Sequence, residues 1–130
     1  FDEGTCFSIK QIVQIALNTA SVLMQLHSKG IMHGDFYAHN LMIDDKANTL
    51  LGDFGAATLY DLNSENALLH EKIDVRAYGC LLDDLLSYSI ETNSKDLDLL
   101  CELRDLCFNE AVMERPTFKE LFQKLVLLIN

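Results

Sequence analysis

From Asp74 to about Tyr88 the chain is apolar on nearly every face of a helix, through Val75, Ala77, Tyr78, Cys80, Leu81, Leu82, Leu85 and Leu86. A surface helix carries one apolar stripe and a polar back, whereas a helix apolar all round has to be enclosed. The segment therefore predicts a buried central helix, and the remaining chain has to supply its walls. Three stretches have the pattern for that. Ser8 and Gln11 form a capping box, Phe7 is placed to staple onto Ile12, and Ile9, Ile12, Val13, Ala16, Ala20, Leu23 and Leu26 recur at helical spacing until Gly30 ends the helix. Asp96 to Phe108 reads as an amphipathic helix. A last helix starts at Thr117, after the only proline, Pro116, with Glu120 completing a second capping box. Residues 56–72 read as loop with at most a helical turn, and Ser87–Lys95 as a polar connector.

Extended segments are few. Ile31-Met32-His33 suits a short strand running into a loop. Leu41-Met42-Ile43 and Thr49-Leu50-Leu51 read as two strands around the turn Asp44-Asp45-Lys46-Ala47-Asn48. An antiparallel hairpin brings its open ends together. Asn40, just before the first strand, and Asp53, just after the second, would then lie close enough to share a cation.

Composition sets the outer limits. With 130 residues, 49% of them apolar, the chain is one domain with a real core. A net charge of −10 repels nucleic acid and anionic membrane, so neither is expected as a partner of this segment. Cys6, Cys80, Cys101 and Cys107 are scattered without Cys-x-x-Cys pairing and read as reduced thiols of a cytoplasmic protein. No signal peptide is visible, and no apolar run approaches transmembrane length.

The candidate chemistry lies in polar residues at fixed spacing. Asp35 follows His33-Gly34, Asn40 comes five residues after Asp35, and Asp53 comes thirteen after Asn40 inside Gly52-Asp53-Phe54-Gly55. Phosphoryl transfer from a nucleotide needs one carboxylate at the attacking hydroxyl, with an amide oxygen and a second carboxylate on Mg²⁺. The bland reading of the same three residues is that they form Asx turns and order the backbone. His33 reads as a packed, hydrogen-bonded histidine, and His27 and His70 carry no specific signal.

In this order and spacing, with Asp74-Val75-Arg76-Ala77-Tyr78-Gly79 and Glu114-Arg115-Pro116-Thr117-Phe118 downstream, the chain resembles the catalytic half of eukaryotic-type protein kinases. The resemblance implies a mainly α fold, the kinase-like carboxy-terminal lobe over residues 1–130. A helical bundle would surround the central helix, with a small β-hairpin carrying the catalytic and Mg²⁺-binding loops. It implies Asp35 as catalytic base or hydroxyl-orienting group and Asn40 and Asp53 as Mg²⁺ ligands. Leu41, Met42 and Ile43 would lie under the adenine of ATP, over Leu81 and Leu85, and Phe54 would stack with His33. Asp74 is expected to accept backbone N–H bonds near His33. Arg115 is expected to pair with a buried glutamate, for which Glu65 and Glu71 are both candidates.

The departures from the family pattern are as specific as the matches. No glycine-rich loop and no Val-Ala-x-Lys strand is present, so the resemblance implies a segment of a longer protein whose amino-terminal lobe lies upstream. Gly34 stands where many kinases carry an Arg that grips a phosphorylated activation loop. Thr58, Tyr60 and Ser64 remain as available hydroxyls. Tyr37 and His39 stand where the family carries permanent cations near the transferred phosphate. His39 would help there when protonated; otherwise it bonds the loop or faces water. His-Gly-Asp also occurs in aminoglycoside- and choline-type phosphotransferases of the same fold. The expected activity is ATP- and Mg²⁺-dependent transfer to a protein hydroxyl, of Ser/Thr type. The alternatives are a small-molecule hydroxyl acceptor, or a pseudokinase serving as a binding module.

Overall fold

The computed structural model describes residues 6–34, 41–43, 49–51, 58–90 and 94–128. Four helices, α1 (Ile9–Ser28), α2 (Ala67–Ser87), α3 (Lys95–Cys107) and α4 (Phe118–Val126), carry most of them, with a 3₁₀ turn at Val112–Glu114. Short strands lie between α1 and α2: β1 (Ile31–Met32), β2 (Leu41–Ile43), β3 (Thr49–Leu51) and β4 (Thr58–Leu59). The fold is mainly α, as expected for a kinase-like carboxy-terminal lobe.

Helix α1 begins where its side chains dictate. Ser8 Oγ accepts from Gln11 N–H at 3.2 Å, and Gln11 Oε1 accepts from Ser8 N–H at 2.9 Å, so both partners of the capping box are satisfied. Phe7 and Ile12 join the same buried cluster. The helix ends at Lys29, and Gly30 turns the chain with φ of +73°. In α4, Thr117 Oγ1 accepts from Glu120 N–H at 3.2 Å, but the Glu120 carboxylate accepts from the Thr117 hydroxyl rather than its backbone N–H. That second capping box is half formed.

Helix α2 is the centre of the bundle. Val75, Tyr78, Leu81, Leu82 and Leu85 are fully buried, in one cluster with Ile12, Ala16 and Leu23 of α1, Leu100, Leu103 and Cys107 of α3, and Phe118, Leu121 and Leu125 of α4. The Tyr78 hydroxyl donates to Ala16 O at 2.6 Å, and its ring meets Phe118 edge-on at 5.2 Å. Against α3 the approach is close enough that a Cβ on Gly79 would stand 2.9 Å from Cys107 Cβ. One stripe of α2 faces solvent, through Ile73, Arg76, Asp83 and Asp84. There Asp83 pairs with Arg104 of α3 at 3.1 Å, a surface bridge that contributes about 1 kcal/mol or less.

Two expectations for residues 56–72 are corrected. The central helix starts at Ala67, seven residues before Asp74, and Thr58–Leu59 is a strand antiparallel to β1, with Ile31 opposite Leu59 and Met32 opposite Thr58. Leu68, Leu69 and Ile73 stay largely exposed and Asn66 makes no side-chain cap, so neither periodicity nor capping marks this helix start.

The core has a consequence for alkaline stability. Burial pushes the Cys107 thiol up from 9.0 to about 12, against a smaller downward pull from Arg115 and Lys72. Burial likewise raises the Tyr78 hydroxyl well above its ordinary 10.0. The folded chain therefore keeps protons that the unfolded chain releases, and stability falls as pH rises above 9. Cys107 alone should cost on the order of 1 kcal/mol between pH 8 and 10. Urea midpoints at those two pH values check this, and Cys107→Ala should lessen the decline.

Candidate functional site

The best-defined polar node lies where α1, α2 and the loop after β1 meet. Asp74, fully buried on α2, accepts three donors. His33 N–H donates to Oδ2 at 2.8 Å, Gly34 N–H to Oδ1 at 3.0 Å, and His27 Nε2 lies 2.9 Å from Oδ2. A carboxylate only accepts, so the imidazole donates through Nε2–H. The other imidazole nitrogen, Nδ1, faces Glu71 at 3.6 Å. The anchor expected of Asp74 is present, and it uses backbone N–H groups, so it fixes the chain path just before Asp35. Gly34 has φ of +82°, a conformation that a side chain would strain, and this explains a glycine at that position.

His27 was missed in the sequence, although a signal existed. It lies four residues beyond Leu23 on the face of α1 that buries Ile12, Ala16, Ala20 and Leu23. A polar residue continuing an apolar stripe needs a buried partner. The imidazole also meets Phe118 edge-on at 5.2 Å, which locks its plane. His33 is fully buried, as expected of a packed histidine.

The expected two-stranded hairpin is present. Leu41 pairs with Leu51, Met42 with Leu50 and Ile43 with Thr49, antiparallel. Asn40 precedes the first pair and Asp53 follows it by two residues. Asp35, His39, Asn40 and Asp53 themselves lie outside the described residues, as do Phe54, the 44–48 turn and the side chains of Leu41, Met42 and Ile43. Among the described residues no group of His, Cys, Asp and Glu is arranged to hold a metal ion, and no helix is long and apolar enough to cross a membrane.

Arg115 corrects another expectation. Neither Glu65 nor Glu71 forms an ion pair with it among the described residues. Its guanidinium donates to Asn109 O at 2.8 Å and to Lys72 O at 3.2 Å. The Lys72 ammonium returns a bond to Arg115 O. Glu71 is instead turned toward His27. The chain just after the 3₁₀ turn is thus fastened to α2 by reciprocal bonds from each side chain to the other residue's carbonyl. Burial lowers the Lys72 pKa, and Arg115 beside it lowers it further, against Glu120 and Glu71, which raise it. Of the candidate hydroxyls, Tyr60 donates to His27 O at 3.1 Å and Ser64 to Asp61 O at 2.7 Å.

Comparison with known proteins bears on what this arrangement serves. The family model described as the protein kinase domain matches residues 1–78. The leaf rust 10 disease-resistance locus receptor-like protein kinase-like 1.4 of Arabidopsis thaliana is 31% identical over 101 residues, covering 63% of this chain. Its counterpart numbered 1.3 is 28% identical over 125 residues, covering 78%. A serine/threonine-protein kinase US3 homolog of Gallid herpesvirus 2 is 32% identical over 101 residues, covering 75%. The chain spans 15%, 18% and 22% of the respective lengths of these three relatives.

Proposed function

Because the chain belongs to the protein kinase family, we propose that it forms the carboxy-terminal lobe of a Ser/Thr-type kinase domain over residues 1–130, acting with an amino-terminal lobe. The proposed reaction is ATP- and Mg²⁺-dependent phosphoryl transfer to a protein hydroxyl. The observation that carries the reading is the Asp74 anchor. A buried carboxylate taking the N–H groups of His33 and Gly34 at 2.8 and 3.0 Å fixes the backbone one residue ahead of Asp35. Asp35 is assigned to orient the acceptor hydroxyl and receive its proton. Asn40 and Asp53 are assigned to Mg²⁺. One amide oxygen and one carboxylate are the hard oxygen donors that this ion prefers, and the Leu41–Leu51 register supports their nearness. When bound, the metal–nucleotide supplies the phosphoryl group. Leu41, Met42 and Ile43 are assigned to the floor beneath the adenine, and His39 to the neighbourhood of the phosphates. We place the segment in the cytoplasm, where reduced thiols persist; Cys6, Cys80, Cys101 and Cys107 are all free.

The test is a radiolabelled-ATP assay on the full-length protein, with Ser/Thr peptides and small-molecule alcohols as acceptors. Label on peptide is the expected result. Label on small molecules alone would shift the reading to a small-molecule phosphotransferase, which the His33-Gly34-Asp35 sequence also suits. No transfer to either class would leave a binding module. Within the same assay, Asp53→Asn should raise the Mg²⁺ requirement about tenfold or more, since losing a ligand's charge worth ~1.4 kcal/mol has that effect. An unchanged Mg²⁺ titration would remove Asp53 from the metal site.

A further inference from the structure

Residue 60 crosses the turn at Gly30 in three places. Tyr60 N–H donates to Gly30 O at 2.8 Å. The Tyr60 carbonyl lies so near that a Cβ on Gly30 would stand 2.7 Å from it. The Tyr60 hydroxyl donates to His27 O at 3.1 Å, a carbonyl that also accepts from Gly30 N–H at 3.1 Å. The Tyr60 ring stacks on His70 of α2, with centroids 5.5 Å apart and planes at 23°, and His27 meets it edge-on at 6.3 Å. Thus one residue touches the end of α1, the turn into β1 and the first turns of α2.

These contacts surround the groups that hold the loop. His27 is bonded to Asp74, and Asp74 holds His33 and Gly34. Between the Gly30 turn and His33 lie only Ile31 and Met32, which pair with Leu59 and Thr58 just before Tyr60. Tyr60 follows Gly55 of Asp-Phe-Gly by five residues. It therefore ties the segment leaving one candidate loop to the segment entering the other.

We propose that Tyr60 is a positioning residue for phosphoryl transfer: by clamping the Gly30 turn and walling His27 against α2, it keeps His33 and Gly34 in register with Asp74 and so sets the place of Asp35. The inference rests on the function proposed above. The hydroxyl is suited to a permanent donor role, because burial, reinforced by Glu71 and Asp74, raises its pKa and keeps its proton in place.

The experiment uses the full-length protein and two variants. Tyr60→Phe removes the hydroxyl and keeps the stack; His70→Ala removes the stack and keeps the hydroxyl. Amide hydrogen exchange at Gly30, His33 and Gly34 should quicken about five- to tenfold in Tyr60→Phe, the effect of losing one hydrogen bond. The same variant should lose kcat by about the same factor, with KM for ATP within about twofold, because the loop and not the nucleotide floor is loosened. His70→Ala should move both readouts in the same direction. Unchanged exchange in both variants overturns the clamp. Faster exchange with unchanged kcat reduces Tyr60 to a structural contact and overturns the positioning role. A parent that transfers no phosphate overturns the proposed function and this role with it. That failure is recognisable because the exchange shift, which needs no turnover, would persist.

Discussion

Asp35→Asn in the full-length protein should cut turnover by about a hundredfold to ten-thousandfold, the range that a positioned proton acceptor contributes. Nucleotide affinity should hardly change. The substitution preserves shape and removes only the carboxylate's capacity to take the acceptor's proton. It leaves the backbone anchor intact, since Asp74 holds residues 33 and 34 through their N–H groups. Asp53→Asn should do the reverse and act first on the metal-bound nucleotide. Measuring nucleotide affinity and turnover on the same preparations separates the two assignments. Equal turnover by Asp35→Asn and its parent would strike Asp35 from the mechanism.

What could be read from the residues depended on how local the controlling interactions are. Helix α1 was legible because Ser8, Gln11 and Gly30 punctuate it within a few residues of its ends, and the capping bonds are intra-segment. The two strands of the hairpin followed from two short β-prone runs around a polar turn. The start of α2 was not legible. Ala67 to Ile73 owes its helical state to continuation of a buried helix and to bonds such as that between Arg115 and the Lys72 carbonyl, which come from 43 residues away. The strand at Thr58–Leu59 exists because Ile31 and Met32 offer a partner, while its own Leu59 stays 77% exposed. The Asp74 anchor was legible through the family resemblance, but its third donor, His27, was not. A histidine on an apolar helix face announces that it needs a partner without announcing which one. Arg115 shows the same limit: a half-buried guanidinium needs acceptors, and here carbonyl oxygens serve where a glutamate was expected.

That third donor makes the anchor testable as a graded series. Asp74→Ala removes the acceptor of two backbone N–H groups and one imidazole N–H, of which those of His33 and His27 are buried and that of Gly34 is half-buried. Stranding them should cost about 3–5 kcal/mol, as breaking a buried charged network does. Against a total stability of about 5–15 kcal/mol, this is enough to unfold a marginal lobe. Asp74→Asn should cost less, about 1–3 kcal/mol, the penalty for one unmade buried bond. Its remaining oxygen can still serve Gly34, and its amide can donate to His27 once the imidazole moves its proton to Nδ1, which faces Glu71 at 3.6 Å. The bond from His33 N–H to residue 74 is then the one that is lost. The asymmetry predicts a coupling. With His27 replaced by Ala, the Asp74→Asn and Asp74→Ala costs should draw together, because the tautomer shift that spares the Asn variant is no longer available. Urea denaturation of the two Asp74 variants, each with and without His27→Ala, gives the cycle directly. An Asp74→Ala variant within about 1 kcal/mol of the parent would show that the loop does not depend on this carboxylate. A gap between the Asn and Ala costs that survives His27→Ala would show that the imidazole does not share the load.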